Sequence, residues 1–196
     1  MGIIVSDKSI DALELNRKQE EYVEYIKNHV ANVNKVYTEI ILPLANDQDI
    51  MFNTISTEEF RKAVIDVKSD IEEHDASKYS EEEFEDYRSK YFQTSTEKYA
   101  DEETKKILTA KAEEAWEHHY TTNDHHPMFW KDSKTGAPID MSLRAIIHMI
   151  CDWEAMSLNF GTDTLEWWKK AEKERKAMTD ATINIVEELL SVICKK

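Results

Sequence analysis

Glycine and proline are the scarcest structural signals in this chain: three of each in 196 residues. Only Gly2, Gly136 and Gly161 reach positive φ without strain, far too few for the tight turns that a sandwich or barrel requires. The expectation is therefore an all-α, single-domain bundle of about six to eight helices over residues 1–196. At 41% hydrophobic residues the chain carries enough apolar surface for a core, despite a charge of 25 − 40 = −15.

That charge excludes partners. A strongly acidic surface repels phosphate backbones and anionic lipid, and no Lys/Arg run provides a local exception. Polymeric nucleic acid and membrane are thus not expected. A small phosphorylated ligand stays compatible, because an ion can reverse the field inside one pocket. No stretch approaches the ~18 apolar residues of a membrane span, and the start lacks a signal-peptide pattern. Cys151 and Cys194 form no C-x-x-C motif and read as reduced thiols of a cytoplasmic protein. The opening M-G-I-I-V-S loosely matches a myristoylation pattern at Gly2, without the basic cluster that would support a membrane anchor.

Apolar spacing predicts a helix from about Ser9 to Leu44, closed by Pro43. Ser56-Thr57-Glu58-Glu59 and Ser80-Glu81-Glu82-Glu83 both read as capping boxes, and the Glu81–Asp86 run reads as a solvated face. A helix over about 101–119 turns Ile107 and Leu108 inward. Residues 121–140 hold Pro127, Gly136 and Pro138 and form the one long loop. Asp140 is expected to cap a strongly apolar central helix, and a C-terminal helical region spans 163–195 with a kink near Thr179.

Seven histidines fall between positions 29 and 148: His29, His74, His118, His119, His125, His126 and His148. Imidazole is the commonest ligand for transition metals and carboxylate its usual companion. His74 and Asp75 end one helix just before a turn, where neighbouring side chains can converge as they cannot within a helix. Lys78 follows one turn later, placed to hold a phosphate oxygen. His148 and Asp152 are i and i+4 on an apolar helix, and a buried carboxylate there requires a partner.

The ordered set resembles the HD superfamily of metal-dependent phosphohydrolases: His29 in N-H-V-A-N-V, His74-Asp75 in E-H-D-A-S-K, and Asp152 in M-I-C-D-W. More closely, H-D-A-S-K, H-H-P-M-F-W and C-D-W-E-A-M resemble a family of uncharacterised phage and bacterial proteins, over residues 20–170. The resemblance implies an HD-domain-like fold with its metal-site core at about 20–160. It also implies one divalent ion on His29, His74, Asp75 and Asp152, and a second on His119 and His126, with His118 and His125 as alternatives from each doublet. Water acidified by the metal would attack phosphorus, with Asp75 and Lys78 as catalytic groups. His148 would orient a ligand, and Trp130 would stack on a nucleotide base. Mn, Fe, Zn, Co, Ni and Mg are not distinguished, and a homo-oligomer is compatible. Trp153 departs from the small or aliphatic residue expected after the final Asp. Two other readings stay open: a protein that sequesters a metal or nucleotide without turnover, and a helical interaction module with structural histidines. A ferritin-like di-iron site is excluded, because no Glu stands three residues before any histidine. H-E-x-x-H and glycine-rich phosphate loops are absent as well.

Overall fold

The structure, a computed structural model, describes residues 7–194, with side chains from residue 11 to 194. Gly2 lies outside the described residues. Within them the chain is all-helical and contains no strand; Lys131 and Pro138 form an isolated antiparallel bridge. The helices are α1 (Asp7–Val36), α2 (Leu42–Asn46), α3 (Thr57–Asp66), α4 (Lys68–Glu72), α5 (Phe84–Tyr91), α6 (Ser95–Lys98), α7 (Glu102–Thr122), α8 (Leu143–Phe160), α9 (Thr164–Trp168), α10 (Glu172–Lys176) and α11 (Asp180–Ile193). None is long and apolar enough to cross a membrane.

The chain gathers into two compact units, each built from two segments. The first comprises the chain up to Asn28 together with Asp75–Thr122; the second comprises His29–His74 and the chain from Asn123 onward. In the first unit α5 packs on α7. Tyr22 of α1 is buried there against the rings of Phe84 and Phe92, at centroid distances of 5.3 and 5.5 Å. α7 buries only Ala112, Ala115 and His119. Ile107, expected inward, is 51% exposed, because the buried stripe of α7 starts one turn later.

In the second unit α8 is the centre. It packs on α3, α9 and α11, and the run from Ala145 to Cys151 is buried throughout, as expected of a helix that is apolar on all sides. Val33, Val36, Phe60, Val64, Ile71, Leu189 and Leu190 complete this core, at roughly 1.5–3 kcal/mol per large apolar side chain buried. The thiol of Cys151 is fully buried, and burial pushes its pKa up; Cys194 is half-buried.

Several local signals resolve differently from expectation. Pro43 does not close the first helix. The chain continues helically through a π turn (Tyr37–Ile41), and Pro43 stands at the second position of α2, so the helical run ends at Asn46 rather than at the proline. The Ser56 capping box forms as read, with both reciprocal bonds. The Ser80 box does not: Glu83 stands at the N-cap position of α5 without a side-chain capping bond, and its carboxylate is used elsewhere. Ser142, not Asp140, caps α8, while Asp140 accepts a hydrogen bond from Thr179 at 2.5 Å. Thr179 is the cap of α11, so the expected kink is a full break between helices.

Candidate metal centre

The second unit brings together histidines from three separate stretches. His29 lies on α1, His74 just beyond α4, and Asp152 one turn after His148 on α8. All three histidines are buried, and the Asp152 side chain is 14% exposed. The Nε2 of His29 stands 3.0 Å from the Nε2 of His74 and 2.9 Å from Oδ1 of Asp152; the His74 Nε2 to Asp152 Oδ1 distance is 3.6 Å.

A single proton cannot serve all three edges of this triangle. A neutral imidazole nitrogen carries either a proton or a lone pair. If His29 donates from Nε2 to Asp152, that nitrogen has no lone pair for His74. If it accepts from His74 instead, a lone pair faces the carboxylate at 2.9 Å. Burial works against ionisation of Asp152, but the contacts with His29 and His74 outweigh it and hold the carboxyl well below the usual range. One nitrogen of each imidazole and one carboxylate oxygen thus meet within 3.6 Å of one another. Neighbouring ligands sit about 3.0 Å apart around an octahedral ion with ~2.1 Å bonds and about 3.3 Å apart around a tetrahedral one with ~2.0 Å bonds. Two of the edges lie within about 0.1 Å of the octahedral value and the third, at 3.6 Å, is about 0.3 Å longer than the tetrahedral one, so a small closure would let two imidazoles and a carboxylate hold a divalent transition ion.

The other ring nitrogen of His74, Nδ1, lies 2.9 Å from Nε2 of His148. His125, in the loop after α7, brings its ring within 4.8 Å of His74 and 4.3 Å of His148. His126 is buried beside it, with centroids 4.2 Å apart, and opens the 3₁₀ turn that Pro127 begins. Trp130 donates its indole N–H to the Asp124 carbonyl at 2.6 Å and packs against the core. Arg144 ties the same loop down, bonding Asp70 and Asp124 at 2.6 Å each. Trp153, the departure from the HD pattern, stacks on Trp168 and meets Trp167 edge-on.

The first unit holds a second polar group. Asp75 is the one non-glycine at positive φ (58°) among the described residues, in the left-handed region that aspartate adopts more readily than most side chains. Its Oδ2 accepts from Lys78 at 2.5 Å, and its Oδ1 lies 3.3 Å from Nε2 of His119. Lys78 is thus engaged with a carboxylate. Glu83, which the sequence placed on a solvated face, is 0% exposed. Its two oxygens accept from Nδ1 of His118 at 2.8 Å and Nδ1 of His119 at 2.9 Å. Burial resists ionisation of Glu83, but the two imidazoles prevail and lower its pKa. Likewise, burial opposes the His119 cation, yet Asp75 and Glu83 together raise its pKa. Glu83 holds His119 as ligand histidines are commonly held, by the nitrogen facing away from the site. No spacing rule flags this residue; a glutamate amid five other acidic or aromatic neighbours gives no sign that it faces inward.

A family model matches residues 18–192, and its description is a family of unknown function, DUF5662. No curated protein and no solved structure matches the chain.

Proposed function

The chain thus belongs to the family of unknown function DUF5662, and we propose that it is a metal-dependent phosphohydrolase of the HD kind, acting on a small phosphorylated molecule, foremost a nucleotide. The observation that carries this reading is the convergence of His29, His74 and Asp152 with ligand-to-ligand edges of 2.9, 3.0 and 3.6 Å. A divalent ion held there supplies acidified water and charge neutralisation for attack on phosphorus. The chain's own residues do the rest. Asp152 provides the anionic donor, His29 and His74 fix its direction, and the buried surroundings keep bulk water from competing for the ligands. The sequence order His29, His74-Asp75, Asp152 adds the resemblance to HD phosphohydrolases.

The test is phosphate release from a panel of nucleotides and phosphomonoesters, before and after chelation and after reloading with Mn²⁺, Co²⁺, Zn²⁺ or Mg²⁺. Activity should fall to background on stripping, return with at least one ion, and be lost in Asp152→Asn. Full activity after thorough stripping refutes the mechanism. A nucleotide that is retained intact identifies a sequestering protein instead.

A further inference from the structure

The His74 ring offers two nitrogens, and the second unit surrounds both. Nε2 belongs to the triangle with His29 and Asp152. Nδ1 lies 2.9 Å from Nε2 of His148, and the ring of His125 packs against both, with centroids 4.8 Å from that of His74 and 4.3 Å from that of His148. His74, His125 and His148 are buried, and one nitrogen from each lies within 4.8 Å of the other two. The His74–His148 separation of 2.9 Å is close to the ~3.0 Å edge between adjacent ligands of one octahedral ion.

We propose that the second unit binds a second divalent ion on His125, His148 and Nδ1 of His74. The donor set is nitrogen alone, which suits Zn²⁺, Cu²⁺, Co²⁺ or Ni²⁺ and disfavours the oxygen-seeking Mg²⁺ and Ca²⁺. His74 then serves both ions. Its Nε2 lone pair goes to the first, its Nδ1 lone pair to the second, and the ring N–H proton leaves to buffer, making His74 a bridging imidazolate. A pair of ions linked this way is electronically coupled, which neither ion alone shows. This inference rests on the first-ion reading only through the shared His74.

The experiment is titration of the chelator-stripped, full-length protein with Zn²⁺ by calorimetry and metal analysis, repeated with Cu²⁺ and read by electron paramagnetic resonance. Two equivalents per chain are expected for the parent protein. His125→Gln and His148→Gln should each bind one, and Asp152→Asn should lose the first ion yet keep the imidazole-held one. The parent's two-copper form should show a signal well below that of two isolated ions, whereas His125→Gln shows one full, uncoupled signal. Circular dichroism in chelator verifies that each variant is folded, and glutamine keeps polar contacts that alanine would abolish. A parent stoichiometry of one that His125→Gln leaves unchanged overturns the proposal. So does a single ion merely weakened ~10–100-fold by His148→Gln, which makes His148 only a hydrogen-bond partner of His74. Should Asp152→Asn have no effect while His125→Gln removes an ion, the triangle reading fails and the imidazole site stands.

Discussion

Glu83→Gln separates a buried clamp from a solvated acid. The carboxylate accepts two imidazole N–H groups, from His118 at 2.8 Å and His119 at 2.9 Å. Glutamine keeps one acceptor oxygen and turns its NH₂ toward the other imidazole, donor against donor. A hydrogen bond to a charged group contributes ~1.5–3 kcal/mol, and the contact with His118, whose side chain is 36% exposed, counts for less because water competes. The expected loss is about 2–3 kcal/mol. For a chain of this size a melting point moves ~2–4 °C per kcal/mol, so the variant should melt ~4–12 °C lower. The control is Glu81→Gln, two residues away and exposed, which should stay within ~0.5 kcal/mol of the parent.

The assay is urea unfolding in the presence of chelator, run from pH 4 to 9. The pKa of Glu83 is lowered on folding, so its contribution is complete above its ordinary value of 4.5 and fades as pH falls through the lower folded value. The pKa of His119 is raised, so its contribution is complete below its ordinary value of 6.5 and fades as pH rises through the folded value. The gap between parent and Glu83→Gln should therefore be widest between about pH 4.5 and 6.5 and shrink on both sides. Equal urea midpoints for Glu83→Gln and Glu81→Gln across that window refute the reasoning.

Asp152→Asn should bind the first ion at least ~100-fold more weakly, so metal at ~100 times the parent's Kd for that ion should stabilise the parent by about 2 kcal/mol more than the variant, which keeps only the imidazole-held ion; equal metal-induced melting shifts would count against the triangle. Gly161 ends α8 at φ 63° with open space where a Cβ would stand, so Gly161→Ala should cost about 1 kcal/mol through backbone strain alone, read as a lowered urea midpoint with unchanged slope. The thiol of Cys151 is fully buried and its ionisation is suppressed, so a thiol reagent should modify it only after unfolding; fast labelling of Cys151 in the native protein, located by mass spectrometry, would contradict that.

Local chemistry was readable where it depended on near neighbours. Ser56 and Glu59 are three apart, and their reciprocal bonds follow from helix geometry. His148 and Asp152 lie on one face of α8 for the same reason, and the scarcity of glycine and proline pointed to helices throughout. What escaped the sequence depends on distant partners. Glu83 stands amid an acidic run, and its buried contacts come from His118 and His119 on another helix, which near-neighbour spacing does not reveal. Pro43 misled in the opposite way: a π-helical turn places it in an opening turn, where proline fits. Ile107 has the spacing of a core residue, yet the buried positions of α7 are Ala112, Ala115 and His119. The histidine doublets looked like a choice of one ligand each. In 118–119 both rings are used, because the two oxygens of one carboxylate bridge the angle between consecutive helical side chains.

The backbone at Asp75 bears on how that residue should be probed. At φ 58° only glycine, asparagine and aspartate sit comfortably, so the position accepts a short list of residues before any chemistry is considered. An alanine scan there removes the carboxylate and loads the turn with strain at once, and the two effects arrive as one number. Asp75→Asn keeps the conformation and deletes the charge, while Asp75→Gly keeps the conformation and deletes the side chain. Comparing the parent with Asp75→Asn isolates what the charge contributes to Lys78 and His119, and comparing the two variants isolates what the remaining side chain contributes.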